Sequence, residues 1–356
     1  MRILGIESSC DETAASVVQD GKKLLSNVVA SSAQAHIQYG GVVPEIAARS
    51  HIESILPVIH QALDDARCSW QDIDAIAVTK GAGLGGSLLV GVLTARTLAI
   101  AHDKPLYGVN HVEGHIYVNF LTTAAPWLDG TYQLPSKQPT FPMLGLIVSG
   151  GHSQLVLWQD HMDYKLLGQT HDDAIGEAFD KVARIIGLPY PGGPSISKKA
   201  LEGNSGAYKL PKAKLRGKYD FSYSGLKTAV LRTAQDIIGK DYSFPSLEIA
   251  PLLTDQQKAD LAASFQRTAV ETIVDKTVLA AEEFQPKSVV IGGGVAANGE
   301  LRRQLSDRLP LPAEYTDIKL CTDNAAMIAT LGSYHHLLGS SPDDPFTLDI
   351  APNLSM

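Results

Sequence analysis

His111-Val112-Glu113-Gly114-His115 sets two imidazoles four residues apart. On a helix that spacing puts both rings on one face, where they can share a single metal ion. A metallopeptidase of the His-Glu-x-x-His kind also needs its glutamate directly after the first histidine, about 100° round the helix. Here Glu113 stands two places on, about 200° round and facing the other way. The pair predicts a metal site that lacks the peptidase base. Taken alone, such a pair is more often two ordinary surface or core histidines than a ligand set.

Two segments share a second kind of chemistry. Ile3-Leu4-Gly5-Ile6-Glu7 runs into a polar turn, Ser8 to Thr13, and out through Ala14-Ala15-Ser16-Val17-Val18. Leu144 to Val148 runs into Ser149-Gly150-Gly151-His152 and out through Ser153 to Trp158. Each reads as a hairpin whose turn presents backbone N–H groups and hydroxyls, the donors that cradle phosphate. One such hairpin per lobe predicts a duplicated nucleotide-binding architecture, with chance similarity of two ordinary hairpins as the bland alternative. A third loop, Gly292-Gly293-Gly294-Val295-Ala296-Ala297-Asn298, follows a buried-type strand and precedes a helix. Its glycines admit a flat ring near the backbone, and Asn298 suits either a ribose contact or a helix cap.

The elements that must position these residues follow from pattern. Pro44-Glu45 opens an amphipathic helix with Ile46, Ile52, Ile55, Leu56, Ile59 and Leu63 expected on its packed side. Strand 75–79, the glycine loop 81–86, helix 87–101 and strand 106–109 make a crossover unit of a partly parallel sheet. The loop lacks the Lys-Ser or Lys-Thr of a P-loop. Segment 124–141 reads as a surface insertion, and Pro191-Gly192-Gly193-Pro194 as a turn. Helices are expected near 174–186, 222–237, 255–284, after Asn298, and at 324–338. Asp172 and Asp173 are assigned to capping the helix that carries Asp180.

At 356 residues the chain exceeds one ordinary core, so two lobes are expected. Hydrophobic residues make up 44% and charged residues 19%, and the most apolar long window, 86–101, is broken by Arg96, so no membrane span is expected. The opening residues lack the features of a secretion signal, and Cys10, Cys68 and Cys321 are too few and too scattered for a disulfide framework. A reducing, cytoplasmic setting is expected. A net charge of −8 argues against broad nucleic-acid affinity, yet Lys209, Lys212, Lys214, Arg216 and Lys218 form a local basic run, either a solvated loop or a backbone contact.

From end to end the chain resembles the TsaD family of tRNA N6-adenosine threonylcarbamoyltransferases. The matching stretches are Gly5 to Thr13, His111 to His115, Val148 to Leu155, Gly176-Glu177-Ala178-Phe179-Asp180-Lys181, Tyr190 to Pro194, Phe221 to Lys227 and Gly292 to Asn298. The resemblance implies a duplicated actin/Hsp70/sugar-kinase-like α/β fold of two lobes with a nucleotide cleft between them. The first lobe is placed at 1–110, with 324–356 returning to it, and the second at 111–323. It also implies a third metal ligand, Asp323, beside His111 and His115, and one divalent ion, iron(II) with zinc as the alternative.

The implied reaction moves a threonylcarbamoyl group from threonylcarbamoyl-AMP to N6 of adenosine 37 in tRNAs reading codons that begin with A, releasing AMP. By the match, Ile147, Val148, Ser149, Gly150 and Gly151 line the phosphate, with His152 beside it. Asp180 and Gly193 meet the ribose or adenine, and Asn298 binds the same nucleotide. Asp11 and Glu12 are the candidate proton acceptors, with turn formation as their bland alternative. Cys10 reads as a small turn residue. Where some relatives carry an acidic ribose contact, this chain has Ser197. The implied partners are tRNA, a TsaB-type paralogue and a TsaE-type ATPase. A metallopeptidase and a non-catalytic nucleotide-binding scaffold are the competing classes, disfavoured by the placing of Glu113 and by the ligand set.

Overall fold

The computed structural model describes residues 1–356, and the chain divides into two compact units, Met1–Pro139 with Glu314–Met356, and Thr140–Ala313. The expected breaks at 110 and 323 are therefore displaced. The helix bearing the two histidines follows its strand without a loop and packs within the first unit, and the same unit takes in 314–323.

The first unit is built on a six-stranded sheet. Its strands are β1 (Arg2–Glu7), β2 (Glu12–Gln19), β3 (Lys23–Ser31), β4 (Ala75–Gly81), β5 (Leu106–Asn110) and β6 (Thr123–Ala124), in the order β5-β4-β1-β2-β3-β6. β1 pairs antiparallel with β2, from Arg2↔Gln19 to Glu7↔Ala14, and parallel with β4. A short helix α1 (Ala33–His36) precedes α2 (Pro44–Asp65), then come α3 (Gly85–His102) and α4 (His111–Tyr117).

The period-2 alternation of β1 decides which layer each residue meets. Leu4 and Ile6 join Val17, Ile55, Ile59 and Val92 in the core under α2 and α3. Gly5 lies on the other face, where a Cβ would sit 2.5 Å from the backbone of Ala329. That face takes α10 (Ala325–Leu337), whose small residues let helix and sheet backbones approach. α2 departs from expectation at two positions. Ile55, Ile59 and Leu63 are buried, but Ile52 and Leu56 are exposed, because only the arc nearest the sheet is covered. α3 is long and apolar enough to cross a membrane by length and composition alone. Here Leu88, Val92, Ala95 and Ala99 pack inward.

The second unit repeats the plan. β7 (Met143–Val148), β8 (Ser153–Asp160), β9 (Asp163–Gln169), β10 (Ser288–Gly292) and β11 (Ala313–Tyr315) form the order β11-β10-β7-β8-β9, with the unit's chain boundary falling inside β11, after Ala313. β7 pairs antiparallel with β8 and parallel with β10, as β1 does with β2 and β4. The helices are α5 (Ile175–Ile186), α6 (Gly192–Ala200), α7 (Ser224–Ile237), α8 (Asp255–Phe284) and α9 (Gly299–Arg308). Pro191 to Pro194 is thus not a free turn but the start of α6, with Pro191 in the N-cap position. Asp172 caps α7 rather than α5, its carboxylate accepting from the Tyr223 amide at 2.7 Å and from Ser222 and Ser224. Asp173 pairs with Lys181 and Lys227, each at 2.7 Å or less.

Candidate active site

In the first unit, α4 begins directly at the end of β5. Asn110 is its N-cap, accepting from the Val112 amide at 2.8 Å, which fixes the helix at its first residue, His111. α4 lies close against α10 because residue 114 is glycine. A Cβ there would meet Ile328 and Met327 at 3.2 and 3.3 Å. Asn324 caps α10 in turn, and Asp323 stands just before it. This packing brings the Asp323 carboxylate to 3.5 Å from Nε2 of His111 and 3.4 Å from Nε2 of His115. Ligand atoms of all three residues lie within 4.8 Å of one another, so the group could hold a metal ion.

The donor set fits a cation. His115 is fully buried and neither ring nitrogen makes a hydrogen bond, an expensive arrangement unless an ion takes the lone pair. On His111, Nδ1 lies 3.1 Å from both Glu7 Oε2 and Ser9 Oγ. With Nδ1 engaged, Nε2 is the nitrogen left to bind a metal. Burial alone would lower the His111 pKa, but the Asp323 and Glu7 carboxylates outweigh it and lift it to about 9. Without an ion, those carboxylates hold a proton where a cation belongs. Glu7 is itself fully buried, accepting from Thr79 at 2.6 Å and from the Ser9 amide at 2.5 Å. Burial raises its carboxyl, but His111 draws it below the ordinary value.

Glu7 is a candidate site residue that the sequence pattern does not single out. Its signal was a carboxylate at the last position of a strand buried on both faces, which needs a partner of opposite charge. Glu113 is outside the ligand group; loss of water pushes its carboxyl up to about 7.

The turn after β1 holds Cys10 and Asp11, while Glu12 begins β2. Burial, with the Asp323 and Asp11 carboxylates beside it, raises Glu12 to about 9, and its side chain hydrogen-bonds Asp11. The Cys10 thiol is driven far above its ordinary value by burial and by Asp11, which disfavours the thiolate. His51, on α2, is a second anchor that pattern reading did not single out. Its Nε2 lies 3.0 Å from the Cys10 carbonyl and its Nδ1 2.8 Å from Thr13 Oγ1. Burial lowers its pKa, and those two bonds suit the neutral ring.

In the second unit, Ile147 and Val148 end β7 and the turn 149–152 follows. The start of α5 packs on this turn, with the Gly176 and Glu177 amides donating to the Ser149 and Gly150 carbonyls at 3.2 Å each. Gly293, at φ +92°, comes so near that a Cβ would sit 2.4 Å from the Val148 carbonyl oxygen. Gly150 and Gly151 are exposed with open space where a Cβ would be. His152 donates its amide to Ser149 Oγ at 3.1 Å. Asp180 accepts from the Gly192 amide at 2.7 Å, and burial raises its carboxyl. Gly193 again has open space beside it.

Asn298 caps α9, accepting from the Leu301 amide at 3.0 Å. Its Nδ2 donates to Ser197 Oγ and to Gln266 Oε1, each at 3.0 Å, and Ser197 donates to the same Gln266 oxygen at 2.9 Å. Both amide hydrogens of Asn298 are therefore spent inside the protein. Ser197, doubtful as a ribose contact from sequence, closes this triangle. The structure thus groups His111, His115 and Asp323 with Asp11 and Glu12 nearby in the first unit. It separately groups 147–152 with the Gly293 loop, and Asp180 with α6, in the second.

A duplicated α/β fold with a metal-capable group in one half and glycine-lined turns in the other defines a protein of the actin/Hsp70/sugar-kinase-like class. The T. kodakarensis HypF structure matches 98% of this chain and 49% of its own at a TM-score of 0.61 and 14% identity, a likeness of fold alone. The sequence model for TsaD, tRNA N6-adenosine threonylcarbamoyltransferase, matches residues 23–330. The tRNA N6-adenosine threonylcarbamoyltransferase of Thermomicrobium roseum is 50% identical over 100% of this chain and 97% of its own length. That of Dehalococcoides mccartyi is 49% identical over 100% and 99%. The chain belongs to the TsaD family.

Proposed function

We propose that this transferase attaches a threonylcarbamoyl group to N6 of adenosine 37 in tRNAs reading codons that begin with A, taking it from threonylcarbamoyl-AMP and releasing AMP. Family membership supports the tRNA modification itself. The observation that carries the chemical reading is the His111, His115 and Asp323 group with its Glu7-oriented imidazole. A bound divalent ion would supply positive charge for substrate oxygens, and iron(II) is favoured over zinc because two histidines and one carboxylate leave several positions open.

The remaining work falls to the chain's own groups. The exposed Gly150 and Gly151 amides are donors for the phosphate of the adenylate, beside Ile147, Val148, Ser149 and His152. Asp180 and Gly193 take the nucleoside. Asn298 keeps one lone pair of Oδ1 for it, since its other bonds are internal. As the amine attacks the carbamoyl carbon it must shed a proton. Glu12, whose carboxyl is pushed up by burial and by the Asp323 and Asp11 charges, is the proposed donor to the carbamoyl oxygen, with Asp11 as the proposed base.

tRNA is the macromolecular substrate. Of the basic run, Lys212 is neutralised by Glu271 and Asp275 and Lys218 by Glu283, so Lys209, Lys214 and Arg216 are its candidate phosphate contacts. A TsaB-type paralogue and a TsaE-type ATPase are the proposed partners. Exposed Ile52 and Leu56 on α2, with Leu89 and Leu93 on the adjacent α3, supply an apolar surface suited to a protein partner. The test is incubation with tRNA, threonylcarbamoyl-AMP and both partners, followed by mass analysis of the digested nucleosides. Absence of threonylcarbamoyladenosine, or its undiminished formation by the His111→Ala protein, would overturn the reading.

A further inference from the structure

Residues 343–356 carry no helix or strand, yet they are bonded to the first unit at short intervals. The Asp343 amide donates to the Leu106 carbonyl at 2.8 Å, and the Gly108 amide donates to the Asp343 carboxylate at 2.8 Å. Arg96, on α3, then donates to three carbonyls in succession: Pro345 at 2.6 Å, Phe346 at 2.5 Å and Leu348 at 3.3 Å. Leu348 is buried in the core beneath α2 and α3. A fork of fixed N–H donors suits such a row of acceptors in a way a lysine would not.

Beyond this clasp the segment reaches the metal group by two routes. In the first, the Ser355 carbonyl accepts from Asn110 Nδ2 at 3.3 Å. Asn110 is the residue that caps α4 and directly precedes His111, so its other side-chain atom already fixes the helix start. In the second, the Ala351 amide donates to the Lys80 carbonyl at 2.6 Å and the Pro352 carbonyl accepts from the Gly83 amide at 3.1 Å. A Cβ on Gly81 would fall 2.0 Å from the Ala351 oxygen. On its other side the same loop presses on the turn after β1. The Leu84 amide donates to the Ser9 carbonyl at 2.7 Å, and a Cβ on Gly83 would lie 2.6 Å from that oxygen. Ser9 Oγ is 3.1 Å from His111 Nδ1.

We infer that segment 343–356 is a strap, clasped by Arg96, that positions His111 for metal through Asn110 and through the Gly81–Gly83 loop and Ser9. Its residues touch no ligand atom themselves; Arg96, Asn110 and the strap are positioning groups. The inference rests on the metal reading of His111, His115 and Asp323, and it goes beyond that reading by assigning the ion's affinity to a part of the chain remote in sequence.

The test uses the full chain, Co2+ as probe ion with its visible absorption as readout, and three variants. Truncation after Ile350 removes Ala351, Pro352 and Ser355 but keeps the Arg96 clasp and Leu348. Arg96→Met opens the clasp while keeping an apolar stem. Asn110→Ser keeps a capping oxygen but loses the donor to Ser355. Weakened outer support of a metal ligand costs about 10- to 100-fold in affinity. The truncation and Arg96→Met are expected in that range, with an altered Co2+ spectrum, and Asn110→Ser at a few-fold. Thermal melts at saturating Co2+ separate this from loss of fold. If the truncated chain does not fold, Asn110→Ser in the full chain decides. Unchanged affinity and spectrum in folded variants would overturn the strap alone. Failure of the unaltered protein to bind Co2+ would overturn the metal reading, and the strap with it.

Discussion

In the turn after β1 every carbonyl from Ser9 to Asp11 is bonded. Ser9 accepts from the Leu84 amide, Cys10 from Ser87 and His51, and Asp11 from the Ser32 amide. In the turn after β7 the Ser149 and Gly150 carbonyls are likewise fixed, by the start of α5, but Gly150 and Gly151 are exposed, with open space where a Cβ would stand. The strands on either side pair in the same way, from Glu7↔Ala14 in one and Val148↔Ser153 in the other. One turn is thus held at each of its carbonyls, and the other carries two exposed glycines, which is where the proposed roles of carboxyl mount and phosphate loop part. The repeated plan preserved the ladder, while side-chain chemistry in the turn set the task.

That contrast predicts different kinetic signatures. Asp11→Asn removes a proton acceptor without moving the turn, so kcat should fall by about 10²- to 10⁴-fold with KM nearly constant, measured by nucleoside formation. A rise in KM with kcat unchanged would place Asp11 with binding instead. Gly151→Ala should act in the opposite column. Alanine keeps the amide, but its methyl would stand in the open space proposed for the phosphate; weakening one hydrogen bond to a charged group costs about 1.5–3 kcal/mol, so KM for threonylcarbamoyl-AMP should rise about 10- to 100-fold. Its stability should change by less than about 0.5 kcal/mol in urea titration, because nothing crowds the added methyl.

A third experiment concerns pH. Folding raises His111 from 6.5 to about 9 and Glu12 from 4.5 to about 9, so both hold their protons more tightly in the folded state. The stability contributed by His111 is complete below pH 6.5 and is lost as pH climbs through about 9; that of Glu12 is complete only below pH 4.5 and is lost over the whole climb to about 9. Metal-free protein should therefore melt at progressively lower temperature from pH 6.5 to 9, whereas Zn2+ should flatten the trend by replacing the proton on His111 and offsetting Asp323. Parallel melting curves with EDTA and with Zn2+ would refute this. The smallest effect is expected from Glu12→Gln, which keeps a hydrogen-bond donor. Activity should stay within about 10-fold of the unaltered protein, and the loss of rate on raising pH towards about 9 should disappear.

Much of the fold could be read from the chain, because β1, β2, β4, α5, α8 and α9 each carry an apolar period and a terminal signal. The Thr254-x-x-Gln257 box at the head of α8 and Asn298 before α9 are such signals. The lobe boundary was harder, since it depends on α4 packing against α10 across about two hundred residues, and no local pattern reports it. The site divides in the same way. His111 and His115 declare themselves by spacing, whereas Asp323 came only from resemblance and Glu7 was not found at all. Within the basic run, Lys212 and Lys218 pair with acids on α8, some sixty residues away in the chain, and no local pattern reports those partners.

The absent side chain of Gly114 makes ion affinity a gauge of how closely two helices lie. A methyl group there would press on the Ile328 and Met327 side chains at 3.2 and 3.3 Å, and any shift of α10 to relieve it would move the Asp323 carboxylate that stands just before that helix. A search for altered metal preference in this protein should therefore return substitutions in greasy contacts behind the ion at least as often as changes to the residues that grasp it.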